Sequence, residues 1–250
     1  MRDLVAYCDD LLQVKRFKDY CPNGLQVEGK KSIKRMVSAV SASESVIQAA
    51  IAAQADVLLV HHGYFWKGED PCVTSMKRKR LALLLKHDIN LLAYHLPLDV
   101  HAIVGNGVQL GKVLGFDVTT RFDMPELAGI GCVAELVTPI TGEVLKQRIA
   151  RCLLREPLHI SSSSDQLIHR IGWVTGAAQD AIKCAVAVGC DAYISGEVSE
   201  RTYYEAKELD IHYFAAGHYA TERYGVQALG EHLKQRFGLE HCYIDSNNII

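Results

Sequence analysis

The sequence predicts an α/β protein built as two pseudo-symmetric halves from an internal duplication, with mixed sheets flanked by helices. Three observations lead there. A strand, an Ala-rich helix and a near-continuous apolar strand occur in that order twice, each copy is followed by a helix and a further short buried strand, and each ends on a His with a carboxylate four residues later.

Ahead of the first copy, residues 3–14 place Leu4, Tyr7, Cys8, Leu11 and Leu12 at helical spacing, and Tyr20 to Gly29 reads as a turn-rich loop around Pro22, Asn23 and Gly24. Arg35 to Val40 then alternates as a strand. Ser43 to Gln54 is Ala-rich and helical behind a Ser cap, and Asp56-Val57-Leu58-Leu59-Val60 runs straight into His61-His62-Gly63. A helix over Met76 to Lys86 leads to a buried strand over Asp88 to Tyr94, which ends at His95-Leu-Pro-Leu-Asp99.

The second copy repeats this with a strand at Ile171 to Gly176, a helix at Ala178 to Val188, a strand at Asp191 to Glu197, a helix at Ser199 to Leu209 and a strand at Asp210 to Ala216. It ends at Gly217-His218-Tyr-Ala-Thr-Glu222. Between the copies, residues 129–170 read as strand, helix (Thr141 to Leu154, capped by Thr141 with Glu143 in its first turn) and further strand. Ser161 to Ser164 is too short for a flexible linker, so the halves are expected to pack rigidly together. The first half is expected over residues 1–125 and the second over 126–234, with 235–250 packing back onto the first.

At 250 residues and 49% hydrophobic content the chain can bury a full core. Its 27 Lys+Arg against 29 Asp+Glu give a net charge of -2, so no whole-protein field draws it to nucleic acid or to an anionic membrane. Lys77-Arg78-Lys79-Arg80 is expected as a solvated helix face. The first residues carry acids where a secretory signal needs an apolar run, no segment approaches the ~20 apolar residues of a membrane span, and a cytoplasmic location is expected. The eight cysteines contain no C-x-x-C pair and are expected as reduced, largely core thiols.

The chemistry is expected at the strand exits. In α/β sheets ligands bind beyond the carboxyl ends of parallel strands, and His61, His62, His95 and His218 all fall there. Imidazole nitrogen with Asp99 and Glu222 oxygen suits Zn, Mn, Fe, Co or Ni, and predicts a metal site, in the cleft between the halves, of His61, His62, Asp99, His218 and Glu222. Adjacent strand residues point to opposite sides, so His61 and His62 are expected to serve different ions, two divalent ions per chain in all. Glu222 could bridge ions roughly 3.5–4 Å apart. His95 is expected in proton transfer, as a catalytic rather than a ligand residue. Tyr64, Phe65 and Trp66 either wall the cleft, where they could stack a planar ring, or pack between the halves. His87, His101, His159, His169, His212, His232 and His241 are expected to pack or hydrogen-bond.

At these residues the sequence resembles the Nif-three-like family, also catalogued as GTP cyclohydrolase I type 2 homologues, and its short enterobacterial-type members in particular. The motifs are Pro22-Asn-Gly-Leu-Gln-Val-Glu-Gly29, His61-His-Gly-Tyr-Phe-Trp-Lys-Gly68, His95-Leu-Pro-Leu-Asp99, Ser195-Gly-Glu-Val-Ser-Glu200 and Gly217-His-Tyr-Ala-Thr-Glu222, and they span nearly the whole chain. The resemblance implies a dinuclear centre with His62 and Asp99 on one ion, His61 and His218 on the other, and Glu222 bridging both. It also implies a homohexamer built as a trimer of dimers. The expected activity is metal-dependent hydrolysis of a small anionic or nucleotide-like substrate. The alternative is a metal-containing hexameric scaffold or regulatory module that binds a protein partner without turnover.

Overall fold

The computed structural model describes residues 1–125 and 127–250; Glu126, with which the second half was expected to open, lies outside them. In chain order the elements are α1 (Arg2–Leu11), β1 (Gly24–Val27), β2 (Arg35–Ser41), α2 (Glu44–Ala52), β3 (Val57–His62), α3 (Ser75–Lys86), β4 (Asn90–Ala93), α4 (Leu96–Val100) and α5 (Asn106–Leu114). There follow β5 (Thr120–Met124), β6 (Leu127–Ile140), α6 (Gly142–Leu153), β7 (Leu158–Ile160), β8 (Ile168–Trp173), α7 (Ile182–Ala187), β9 (Ala192–Ser195), α8 (Glu200–Glu208), β10 (His212–Ala215), α9 (His218–Phe237) and β11 (Glu240–Tyr243). They form two compact units, one of Met1–Gly105 with Gly225–Asn247, the other of Asn106–Tyr224 with Asn248–Ile250.

The sheet of the first unit has the order β1-β4-β3-β2-β11 among the described residues. The strands β2, β3 and β4 are parallel and buried along most of their length, which is why β3 and β4 read as apolar runs; β2, expected to alternate, is instead buried continuously from Met36 to Val40. On one face, Val37, Ala39, Leu58, Val60, Leu91 and Ala93 pack with Val46, Ile47, Ala50 and Leu84 from α2 and α3. On the other, Met36, Val57, Leu59 and Leu92 meet Leu4, Cys8 and Leu12 of α1 and Val226, Leu229 and Leu233 of α9. Ser43 caps α2 by accepting the Val46 N–H at 3.3 Å. The turn-rich loop of residues 20–29 contains a strand the periodicity missed: β1 pairs antiparallel with β4, and four residues broken by an irregularity are too few to show a period of two.

The sheet of the second unit runs β5-β6-β8-β9-β10-β7 among the described residues. Its centre is again parallel, β8-β9-β10, with antiparallel β7 at one edge and the antiparallel pair β5-β6 at the other. Trp173 lies fully buried and donates its indole N–H to the Gly107 carbonyl at 2.7 Å. The helix expected over Ala178 to Val188 is shorter, a 3-10 turn at Gln179–Ala181 followed by α7.

The duplication is visible bond by bond. In the first unit the Asp56 N–H bonds the Arg35 carbonyl, Ala55 bonds Ala50, Asn90 bonds Asp56, Ile89 bonds Leu84 and Tyr94 bonds Val60; in the second, Asp191 bonds Arg170, Cys190 bonds Ala185, His212 bonds Asp191, Ile211 bonds Ala206 and Ala216 bonds Ser195. Asp88 and Asp210 close the helices ahead of the third strand at φ 51° and 52°. The correspondence corrects one register: His95 aligns with Gly217 and Asp99 with Thr221, each pair joined by the same i to i+4 bond. The two His-x-x-x-carboxylate motifs are therefore one residue out of step, and His62 aligns with Glu197. The outer edges differ too, since β11 is parallel to β2 whereas β6 is antiparallel to β8.

Candidate metal centre

In the first unit, His61, His62 and His95 each present a ring nitrogen within 4.8 Å of the others. His61 and His62 are the last residues of β3, beyond Val60, where the pairing to β4 stops. Side-chain alternation does not separate them: their ring centroids are 4.5 Å apart at 43°. Among the described residues only β2 still pairs with the strand there. Asp99 sits on the short helix α4, whose Pro97 is accommodated in the first turn, and its Oδ1 is 3.5 Å from His61 Nε2. His61 is wholly buried and Asp99 nearly so.

In the second unit, His218 opens α9 and Glu222 lies one turn on, with His218 Nε2 and Glu222 Oε2 at 2.9 Å. Glu197, which follows β9, meets His218 Nδ1 at 2.7 Å. Burial works against a charged His218 ring, but Glu222 and Glu197 outweigh it and raise its pKa to about 9 in the metal-free chain. Gly176 at φ 68° gives Glu222 its room: a Cβ there would stand 2.0 Å from Glu222 Oε1.

A common pattern links the four histidines. Nδ1 of each has a hydrogen-bonding partner: the Tyr94 carbonyl for His61 (2.9 Å), Ser41 Oγ for His62 (3.1 Å), Asp19 Oδ1 for His95 (2.7 Å) and Glu197 for His218. Carbonyl and carboxylate partners only accept, so on those three rings Nδ1 carries a proton and Nε2 is the nitrogen that can turn to a ligand, on His218 only after the proton it holds toward Glu222 is lost. Metal-ligating histidines are oriented this way, through an acceptor on the other nitrogen. The residues present fit a divalent metal of the imidazole- and carboxylate-binding class. Glu197 falls inside the Ser195 to Glu200 motif but was given no role there, and Asp19, a lone acid in a loop, carries no periodic or motif signal of its own.

The neighbouring aromatics divide. Tyr64 is buried and donates its hydroxyl hydrogen to the Ala42 carbonyl at 2.6 Å, Phe65 is partly exposed at φ 65°, and Trp66 stands edge-on to His95 at 5.0 Å. Lys77, expected on a solvated face, pairs with Glu69 at 3.1 Å. Several of the remaining histidines hold structure: His212 bonds Gln166 and Ser162, His159 stacks on Phe214, His232 bonds Tyr7 and His241 bonds Ser38. All eight cysteines are free thiols, though Cys72 and Cys242 are exposed rather than core. No helix among the described residues is long and apolar enough to cross a membrane.

Residues 1–249 match the family model described as Duf34/NIF3 (NGG1p interacting factor 3). The chain belongs to the Duf34/NIF3 family. Curated NIF3 relatives named GTP cyclohydrolase 1 type 2 homolog are 51% identical over 245 residues in Pseudomonas aeruginosa (98% of this chain, 96% of that protein) and 49% identical over 247 residues in Vibrio cholerae (98% and 97%). Among solved structures, the protein ybgI, described as of unknown function, is 41% identical with a TM-score of 0.95, covering 100% of this chain and 99% of that one. The NIF3 fold thus accounts for the mixed sheets flanked by helices.

Proposed function

We propose that the His61, His62 and Asp99 set and the His218 and Glu222 set together form one dinuclear centre for metal-dependent hydrolysis of a small anionic or nucleotide-like substrate. The observation that carries the reading is the Nδ1 anchoring of His61 and His218, which leaves Nε2 as the donor on a fixed ring. Divalent ions held there would supply Lewis acidity and lower the pKa of a bound water toward ~7. Asp99 and Glu222 offset part of that positive charge, and the surplus favours a substrate phosphate or carboxylate. His95 has a ring nitrogen within 4.8 Å of those of His61 and His62, and in this reading its imidazole would take and return the proton of the attacking water. Glu222 would be the carboxylate shared between the two ions. The names of the relatives point to GTP as one nucleotide to include in a substrate test. Assembly as a homohexamer, a trimer of dimers, belongs to the same reading.

The test is elemental analysis of the purified protein followed by a screen of phosphatase, phosphodiesterase and nucleotide-hydrolase substrates with each of Zn, Mn, Fe, Co and Ni. Two ions per chain and chelator-sensitive turnover are expected. If the metal-replete protein turns over none of these, the scaffold reading replaces the enzymatic one.

A further inference from the structure

We propose that Asp19 is the positioning residue of His95, locking its ring in one orientation and its proton on Nδ1 so that Nε2 is the working nitrogen. The inference rests on the proton-transfer role of His95 put forward above. Its structural part stands on the first unit alone.

Asp19 lies in the irregular stretch before β1, yet its side chain is only 3% exposed. A carboxylate so placed needs its oxygens filled, and both are. Oδ1 accepts from His95 Nδ1 at 2.7 Å and from the Tyr20 N–H at 2.6 Å; Oδ2 accepts from the Leu96 N–H at 3.0 Å and from Asn23 Nδ2 at 2.8 Å. Asn23 closes the ring of contacts by accepting the His95 N–H at 2.8 Å. The histidine is therefore held twice, by backbone and by side chain, through residues 19–23 and the turn that opens α4. Its ring stands 5.1 Å from that of His61 and 5.8 Å from that of His62, so what Asp19 fixes is the angle at which His95 meets the donor set.

The chemistry follows from the acceptor-only character of a carboxylate. It can take a hydrogen bond from Nδ1–H and can give none, so it selects one neutral tautomer. Nε2 then carries the lone pair that receives the water proton, and the imidazolium so formed is stabilised by the same carboxylate. The proton returns from Nε2 to the leaving group, and Asp19 keeps its own charge throughout. Trp66, edge-on at 5.0 Å, limits the ring's rotation on another side. Cys21 lies beside this pair, and burial pushes its thiol up to about 12 in the metal-free chain.

Asp19→Asn separates orientation from tautomer. The Leu96 and Asn23 donors at Oδ2 cannot turn into acceptors, whereas at Oδ1 the His95 ring can and only the Tyr20 N–H loses its acceptor, so the amide oxygen is expected at Oδ2 and the amide hydrogens facing His95 Nδ1. The ring must then accept at Nδ1 and carry its proton on Nε2, the wrong tautomer. Nitrogen-15 NMR of the metal-free and zinc-loaded wild type should show His95 protonated on Nδ1, and Asp19→Asn should move that proton to Nε2. Where a substrate is turned over, kcat should fall by roughly 10²-fold or more with KM and metal content little changed, and Asp19→Glu should recover part of it. A wild-type His95 protonated on Nε2 overturns the proposal, as does an Asp19→Asn variant with wild-type kcat. If Asp19→Asn fails to fold, the wild-type tautomer alone decides. If the wild type turns over nothing, the functional reading fails while the NMR result still judges Asp19.

Discussion

Asp56 and Asp191 do the same work in the two units: each places one carboxylate oxygen, Oδ2, on the N–H groups of two successive residues near the start of the neighbouring parallel strand, Lys34 and Arg35 in one case, His169 and Arg170 in the other. Each also passes its backbone carbonyl to the first residue of the third strand, Asn90 or His212. One aspartate thus ties three strands together at their amino ends.

Replacing either aspartate with Ala leaves two such N–H groups without their charged acceptor. Such bonds contribute ~1.5–3 kcal/mol when intact, and both sites are partly open to water, so a loss of about 2–3 kcal/mol is expected for each variant. Urea titration measures it. For Asp56, partial burial works upward on the carboxyl pKa, but Lys30 and the two N–H groups outweigh it and hold the pKa low. A depressed carboxyl pKa adds stability above the unfolded value of ~3.9 that is lost as pH falls through the folded value. The gap between wild type and Asp56→Asn should therefore shrink below about pH 4.

Much of the fold was legible because fully buried parallel strands and Ala-rich helices leave long runs in the sequence, and because the runs occur twice. What escaped was short or paired across the chain: β1 has four residues and an irregular register, and α7 gives its first turn to a 3-10 geometry. The one-residue offset between His95 and His218 escaped for a different reason. Both motifs are His-x-x-x-carboxylate, and the likeness of residue types masked a register that only the hydrogen bonds of β4 and β10 reveal. The placement of His61, His62, His95 and His218 at or just beyond strand ends was readable in the sequence; Glu197 stood in the Ser195 to Glu200 motif without an assigned role, and Asp19 is an ordinary loop acid until the chain is folded.

Gly176 tests whether the placement of Glu222 matters as much as its presence. Gly176→Ala puts a methyl group onto Glu222 Oε1 and 3.3 Å from His218 Nε2, and it strains a backbone at φ 68°. Gly189→Ala carries similar strain at φ 78° with nothing within 4 Å of the added carbon. Both should lose ~1–2 kcal/mol of stability. Only Gly176→Ala should lose bound metal, measured by elemental analysis after dialysis. Equal metal content in the two would show that the site tolerates displacement of Glu222.

The His159 ring lies flat on Phe214 at 4.3 Å and 3.1 Å from His212 Nδ1. Burial, reinforced by His212, lowers its pKa to about 4. The fold thus favours the neutral ring: its contribution is full above the unfolded value of ~6.5 and is lost as pH falls from there toward 4. His159→Phe keeps the stack and removes the titration. It should lose less stability than wild type between pH 6.5 and 4, and parallel curves would exclude His159 as the source of acid sensitivity.

Glu222 also controls the proton on His218, whose Nε2 it meets at 2.9 Å. With a pKa of about 9, His218 is protonated at pH 7 in the metal-free chain, and a metal can use Nε2 only after that nitrogen gives up its proton. Binding should therefore release a proton at pH 7 that it no longer releases above about pH 9, and affinity should rise across that range. Calorimetry in two buffers of different ionisation enthalpy counts the proton. Glu222→Ala removes the strongest support for the charged ring and one ligand at once, so both the released proton and the metal content should fall, from about two ions per chain toward one or none. Glu197→Ala keeps every proposed ligand and frees the ring from its anchor, so metal should still bind, about 10–100-fold more weakly. His241→Ala, whose ring bonds Ser38 well outside these donor sets, should leave both quantities unchanged. A Glu222→Ala variant with full metal content would remove Glu222 from the centre, and with it the bridging arrangement.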